Sequence, residues 1–316
     1  MAKDPSKEEL HQKAQQGDPE AQYEWARHLA WGKGRAKETE EAERWFAAAL
    51  AQFREAAERN EASGQLNLGK MNEYGHGLPK NLDEAARLYR LAAEQGNAEA
   101  QYRLGHLYEY GDGVEANFDT AMQWYAKSAE QGDKNAIIKV ELREQYLRGV
   151  ELANEGHQHA QYQLGRMYEY GMGVPKDPAE AAKWYRLAAE QAELKSQERL
   201  GQLLEDGSTV PQDKEEADKY YRMLVAELER KADLENRNAQ YELGRLYERG
   251  RGVEESTDKA LHWYLQAAKK GHPLAQYRLG RLYIEGKMVG QDAAAAAKWF
   301  RQSVRLNAPP EGTPPL

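Results

Sequence analysis

The 316 residues include 52 acidic and 44 basic side chains, a formal charge of −8, and no cysteine. This balance gives no concentrated basic footprint for nucleic-acid phosphates, and the missing thiols exclude a disulfide framework and thiolate metal sites. Mean hydropathy is −0.94, yet 7 Trp and 19 Tyr are available to build a core, and no apolar run approaches the roughly 18 residues that a membrane span needs.

In chain order, residues 1–5 are expected to be loose. Ser6-Lys7-Glu8-Glu9 has capping-box spacing, so a helix is predicted from about Lys7 to Gln16. Gly17 stands in the register of Gly96, which makes residues 1–17 an N-terminal cap helix for whatever follows. The same stretch has no apolar core of signal-peptide kind. The expected location is therefore cytoplasmic, or periplasmic or secreted if a native signal peptide has been removed.

From there one pattern recurs. A first Gly (Gly69, Gly105, Gly165, Gly201, Gly244, Gly280, with Ala26 in the first copy) is followed six residues later by a loop Gly: Gly32, Gly75, Gly111, Gly171, Gly207, Gly250 or Gly286. Thirteen residues further on stands the first member of an aromatic or apolar pair: Trp45, Leu88, Trp124, Trp184, Tyr220, Trp263 or Trp299. Both intervals hold in all seven copies, so the chain is read as a repeat array. Successive loop glycines are separated by 43, 36, 60, 36, 43 and 36 residues. The unit is 36 residues, two copies carry seven more, and one boundary carries 24 more.

One unit explains itself from its residues. Tyr102, Leu104, Leu107 and Tyr108 recur at helical spacing in 98–110. Gly111-Asp112-Gly113 stops this first helix, because glycine accepts positive φ. The neighbourhood of Asp119 is expected to cap a second helix with an apolar face of Ala121, Trp124, Tyr125 and Ala129. One such hairpin cannot bury its face alone, but stacked hairpins can. The recurring Tyr102, Trp124, Tyr125, Trp184 and Trp263 are therefore assigned to the core.

The two long copies, with WFAAALAQFREAAERNEA and YYRMLVAELERKADLENR as their second helices, are expected to protrude by roughly 10 Å, about two helical turns. Residues 133–156 read as a truncated unit lacking its G-x-G loop. They form either one long helix or two joined near Arg148-Gly149. The Pro-rich tail 307–316 has no periodic pattern and is expected to be disordered.

The pattern A-x-x-Q-Y-x-L-G-x-x-Y-x-x-G-x-G-V followed by W-Y-x-x-A-A-x-x-G resembles the Sel-one-like repeat, a relative of the tetratricopeptide arrays. Its cleanest copies are 101–132, 161–190 and 240–271. The resemblance covers roughly residues 18–305 and implies an all-α, right-handed α-solenoid of stacked antiparallel helix pairs, seven full repeats plus one truncated unit, forming a single array over 1–306. It also implies a non-enzymatic scaffold or adaptor that binds another protein or an extended peptide. An inhibitor or immunity-type protein that blocks one toxin or enzyme is a second reading, and a glycan-binding protein a third.

No catalytic, cofactor-binding or metal-binding set is predicted. His157 and His159 diverge at i,i+2 on a helix, and the glycine loops lack the preceding strand and following G-K-[ST] of a phosphate loop. Two rows remain. Arg27, Lys70, His106, Arg166, Gln202, Arg245 and Arg281 follow the first Gly or Ala, with Glu73, Glu109, Glu169, Glu205 and Glu248 three residues beyond that position in several copies, and these read as a solvated face of i,i+3 pairs. The residue before the loop Gly is Trp31, Tyr74, Tyr110 and Tyr170 in four copies but Asp206, Arg249 and Glu285 in three, so the core does not require an aromatic there. Interfaces favour such anchors. Trp31, Tyr74, Tyr110 and Tyr170, with Arg103, His106 and Arg166 on the adjoining helix face, are the predicted partner-binding residues.

Overall fold

The computed structural model describes residues 5–31 and 36–305. The expectations for residues 1–4, the first loop glycine Gly32 and the 307–316 tail lie outside these. The described residues form helices α1 (Pro5–Gln15), α2 (Pro19–Trp31), α3 (Ala36–Glu58), α4 (Ala62–Tyr74), α5 (Leu82–Glu94), α6 (Ala98–Tyr110), α7 (Phe118–Glu130), α8 (Lys134–Asn154), α9 (Gln158–Tyr170), α10 (Pro178–Glu190), α11 (Leu194–Asp206), α12 (Lys214–Asp233), α13 (Arg237–Arg249), α14 (Thr257–Lys269), α15 (Pro273–Glu285) and α16 (Ala293–Arg305). The fold is an all-α solenoid of paired helices. It divides into two compact units, Met1–Tyr146 with Met172–Pro175 and Leu147–Gly171 with Lys176–Leu316.

Local chemistry sets each hairpin. Asn97 caps α6 by accepting a hydrogen bond from the Ala100 N–H at 2.9 Å. Gly111 ends the helix at φ 76°, donating its N–H to the Leu107 carbonyl. The cap of α7 is Asn117, which accepts from the Thr120 N–H at 2.9 Å. Asp119 lies inside the first turn instead, where its charge complements the helix N-terminus.

The two helices of a hairpin meet where the first Gly faces an aromatic ring. A Cβ on Gly105 would stand 2.9 Å from the ring of Tyr125, and one on Gly165, Gly244 or Gly280 would stand 2.6 Å from Tyr185, Tyr264 or Phe300. These tyrosines are fully buried. The tryptophan before each (Trp124, Trp184, Trp263) is only half-buried, as is Tyr102. The pair therefore presents its second ring, not its first, to the glycine, and the tryptophan packs along the flank of the core.

A buried glutamine joins successive hairpins. Gln101 donates to the Ala93 carbonyl at 3.1 Å and accepts from Gln131 at 2.7 Å. Gln161 repeats this with Ala153 and Gln191, and Gln22 with Ala14 of α1 and Gln52. In α8, Ala136 is buried as Ala100 is in α6, and Ala153 receives the glutamine as the end of a second helix does. One continuous helix, unbroken at Arg148 and Gly149, thus carries the markers of both helix types.

The long helices do not simply project. The loop glycine Gly113 abuts Leu82, the first residue of α5, whereas Gly252 abuts Tyr221, seven residues into α12. At the other end, Gln240 still bonds Ala232, and Leu228 and Ala232 are buried. The following hairpin has slid toward the C-terminal end of the long helix by about two turns, roughly 10 Å. The part of α12 that this hairpin leaves to the preceding helices is its beginning, where Ala217 and Tyr220 are buried. Gly77 likewise abuts Phe46, well inside α3.

Candidate partner-binding face

A repeated trio of Tyr, Glu and cation lies at the loop end of the first helices. Tyr89 donates its hydroxyl to Glu73 at 2.5 Å, and Arg103 donates to the same carboxylate at 3.1 Å. Tyr125 and Lys139 hold Glu109 at 2.6 and 2.8 Å. In the second unit, Tyr185 and Arg199 hold Glu169 at 2.7 and 2.9 Å, and Tyr264 and Arg278 hold Glu248. Burial pushes the Tyr89, Tyr125 and Tyr185 hydroxyls far up, so each stays a neutral donor. Burial also pushes the Glu169 carboxyl up. The hydrogen bonds from Arg199 and Tyr185 outweigh this and hold it below the ordinary range.

These trios replace the expected i,i+3 pairs. Glu73, Glu109 and Glu169 are bound by a cation from the next hairpin, 30 residues on. Lys70 turns to Glu99 at 2.8 Å, Arg245 to Glu242, and Arg166 to Gln163 at 3.5 Å. The physical reason is that a tyrosine hydroxyl fixes each carboxylate over the hairpin seam. It then lies within reach of the neighbouring hairpin rather than of its own helix surface.

The exposed tyrosines sit beside the trios. Tyr74 and Tyr110, in the first unit, are 50% and 60% exposed. The Tyr74 hydroxyl accepts from Arg103 at 3.1 Å, with the guanidinium 5.9 Å from its ring centroid. Its ring stacks on His76 at 5.6 Å. Tyr110 lies against His106 at 4.6 Å, with Lys139 at 5.9 Å. Arg103 itself is half-buried among Glu73, Glu99 and Tyr74. In the second unit Tyr170, 57% exposed, shares a cleft of about 340 Å³ with Arg166 and Arg199. Trp31 ends α2, and its side chain lies outside the described residues.

Residues 19–52, 62–97, 98–133, 158–193, 194–225, 237–272 and 273–307 each match the Sel1 repeat. The chain belongs to the Sel1 repeat family. Sel1 repeats generally mediate protein–protein interaction and typically form non-catalytic scaffolds. Among solved structures, a Sel1 repeat protein from Oxalobacter formigenes is similar at 29% identity over 83% of this chain and 94% of that one, with a TM-score of 0.37. The protective antigen c5321 of uropathogenic Escherichia coli, which displays an SLR fold, is similar at 27% identity over 94% and 79%, with a TM-score of 0.34. The immunity protein Pa5087 of Pseudomonas aeruginosa is similar at 19% identity over 78% and 82%, with a TM-score of 0.31.

Of the residues singled out in this Sel1 repeat chain, the fold joins Tyr74 to Arg103, His106 to Tyr110, and Tyr170 to Arg166. Sequence reasoning missed His76. It stacks on Phe46 at 4.7 Å and bonds the Tyr23 hydroxyl at 3.1 Å, and it lines a pocket of about 290 Å³ with Arg27, Ala30 and Tyr74. Other copies place Asp112, Met172, Ser208, Arg251 and Lys287 at its position, so no repeat signal marks it. It also missed Lys139 and Arg199, which the recurring 30-residue interval from each Glu could have revealed. Among the described residues no helix is long and apolar enough to cross a membrane, and no group of three or more acidic, His or Cys side chains is set to hold a metal.

Proposed function

We propose that this chain is a non-catalytic scaffold that captures a protein or extended peptide on the loop edge of its first unit, with Tyr74 and Tyr110 as anchors. The observation that carries this reading is the contrast between two sets of tyrosines. Tyr89 and Tyr125 are fully buried beneath the glycines, whereas Tyr74 and Tyr110 leave half or more of their surface open on a braced support. A large ring held in place loses little freedom on binding, and such anchors dominate interface energetics at about 2 kcal/mol or more each. In the second unit, Tyr170 with Arg166 offers the same chemistry on its own cleft.

The test is affinity capture from native extract with wild type and with the Tyr74→Ala/Tyr110→Ala variant, read by mass spectrometry, followed by titration of the captured protein. The expected result is one dominant partner whose affinity falls at least tenfold in the variant while its thermal melt is unchanged. An undiminished affinity in a folded variant would remove these tyrosines from the interface.

A further inference from the structure

Beside the ends of α9, α11 and α13, within the second unit, lies a pocket of about 720 Å³ lined by Leu203, Tyr170 and the Ser208-Thr209 loop among others. Four cations line it: Lys176, Arg199, Arg249 and Arg251. The acids there are largely engaged. Glu169 is held by Tyr185 and Arg199, Glu205 by Tyr221 at 3.0 Å and Arg251 at 2.5 Å, and Asp206 accepts from Ser208. Lys176 and Arg249 are exposed, and neither makes an ion pair within 4 Å among the described residues. The lining therefore has two exposed cations that make no close ion pair, Arg249 acting on Glu242 only at longer range, beside one acid, Asp206, whose partner Ser208 is neutral, and its volume is within the ordinary range of ligand pockets.

We propose that this pocket is a docking site for an acidic, extended peptide segment of a protein partner, with Lys176 and Arg249 receiving its carboxylates. Guanidinium and ammonium groups match carboxylates in charge and in hydrogen-bond donors. The whole chain carries a charge of −8, which disfavours diffuse attraction of an acidic peptide, so binding has to come from a local site. The site rests on the reading of the chain as a protein-binding scaffold, but not on the Tyr74–Tyr110 face.

The test uses the full chain and a fluorescein-labelled decapeptide of alternating Glu and Gly, read by fluorescence anisotropy at 50 and 300 mM salt. The Gln–Gly decapeptide is the control. Saturable binding is expected that weakens with salt. It should fall at least tenfold for the Gln peptide and at least tenfold for Lys176→Glu/Arg249→Glu, with a parallel loss in the milder Lys176→Ala/Arg249→Ala. The Tyr74→Ala/Tyr110→Ala variant should bind the peptide as wild type does, so this site and the first-unit face stand or fall separately. No binding of the Glu peptide, equal binding of the Gln peptide, or undiminished binding by folded charge-reversal protein overturns the proposal.

Discussion

The glycine that faces each buried ring can be tested against a glycine that faces nothing. Both Gly165 and Gly149 are helical residues that fall in the second unit. Replacing either with alanine should gain about 1 kcal/mol from helix propensity alone. At Gly149 an added Cβ meets no atom within 4 Å, so that gain should be realised. At Gly165 the Cβ would stand 2.6 Å from two carbons of the Tyr185 ring. That ring is completely buried, and its hydroxyl is tied to Glu169 at 2.7 Å, so it cannot swing away without breaking the bond. Overpacking of this kind costs about 3 kcal/mol at the upper end of its usual range. The net effect of Gly165→Ala is then about 2 kcal/mol of destabilisation, and the two variants should differ by about 3 kcal/mol. Urea unfolding followed by circular dichroism at 222 nm reads both midpoints in the same unit. A Gly165→Ala midpoint at or above that of wild type, with Gly149→Ala raised, would refute the close-approach argument.

The trio predicts that Tyr125→Phe, which leaves Glu109 with Lys139 alone, destabilises by about 1.5–3 kcal/mol, the range for a hydrogen bond to a charged group; a urea midpoint indistinguishable from wild type would count against it. Because its partners hold the Glu169 carboxyl below the usual range, its contribution is present above about pH 4.3 and lost as pH falls. Glu169→Gln should therefore be clearly less stable than wild type at pH 7 and closer to it at pH 3.5. His272 caps α15 by accepting the Ala275 N–H at 3.1 Å, and burial, with Arg237 nearby, pushes its imidazole below the ordinary value. The unfolded chain then takes up the proton first, so stability is full above about pH 6.5 and falls as pH drops below it. His272→Asn keeps a capping acceptor, and its melting temperature should change less between pH 8 and 5 than that of wild type.

The helices and their pairing were legible because the glycine and aromatic spacings recur without change, and each interval corresponds to a contact: Gly105 to Tyr125, Gly165 to Tyr185, Gly244 to Tyr264. Which ring of the pair goes inward was not legible. Trp124 and Tyr125 are equally apolar choices, and only the angle at which the helices meet puts the tyrosine under the glycine. The acids Glu73, Glu109 and Glu169 were visible as a row, but their partners lie 30 residues away on the next hairpin, and local helix spacing points elsewhere. The exposure of Tyr74, Tyr110 and Tyr170 could be anticipated, since Asp206, Arg249 and Glu285 occupy the same position in other copies. The pocket beside Arg249 could not. Its lining comes together from the ends of α9, α11 and α13, and the repeat spacing does not record that meeting.

The point at which a hairpin docks along a longer helix follows a rule of angles. Each helical residue turns the chain by about 100°, so seven residues return to within about 20° of their starting direction. A second helix extended by seven residues therefore offers the same face two turns further on, and the neighbouring hairpin can dock there on that face. An insertion of four residues would rotate that face by about 40° and one of three by about 60°, presenting polar residues to the seam. The array behaves like a vernier: its hairpins can be offset in steps of seven residues while the docking face is kept.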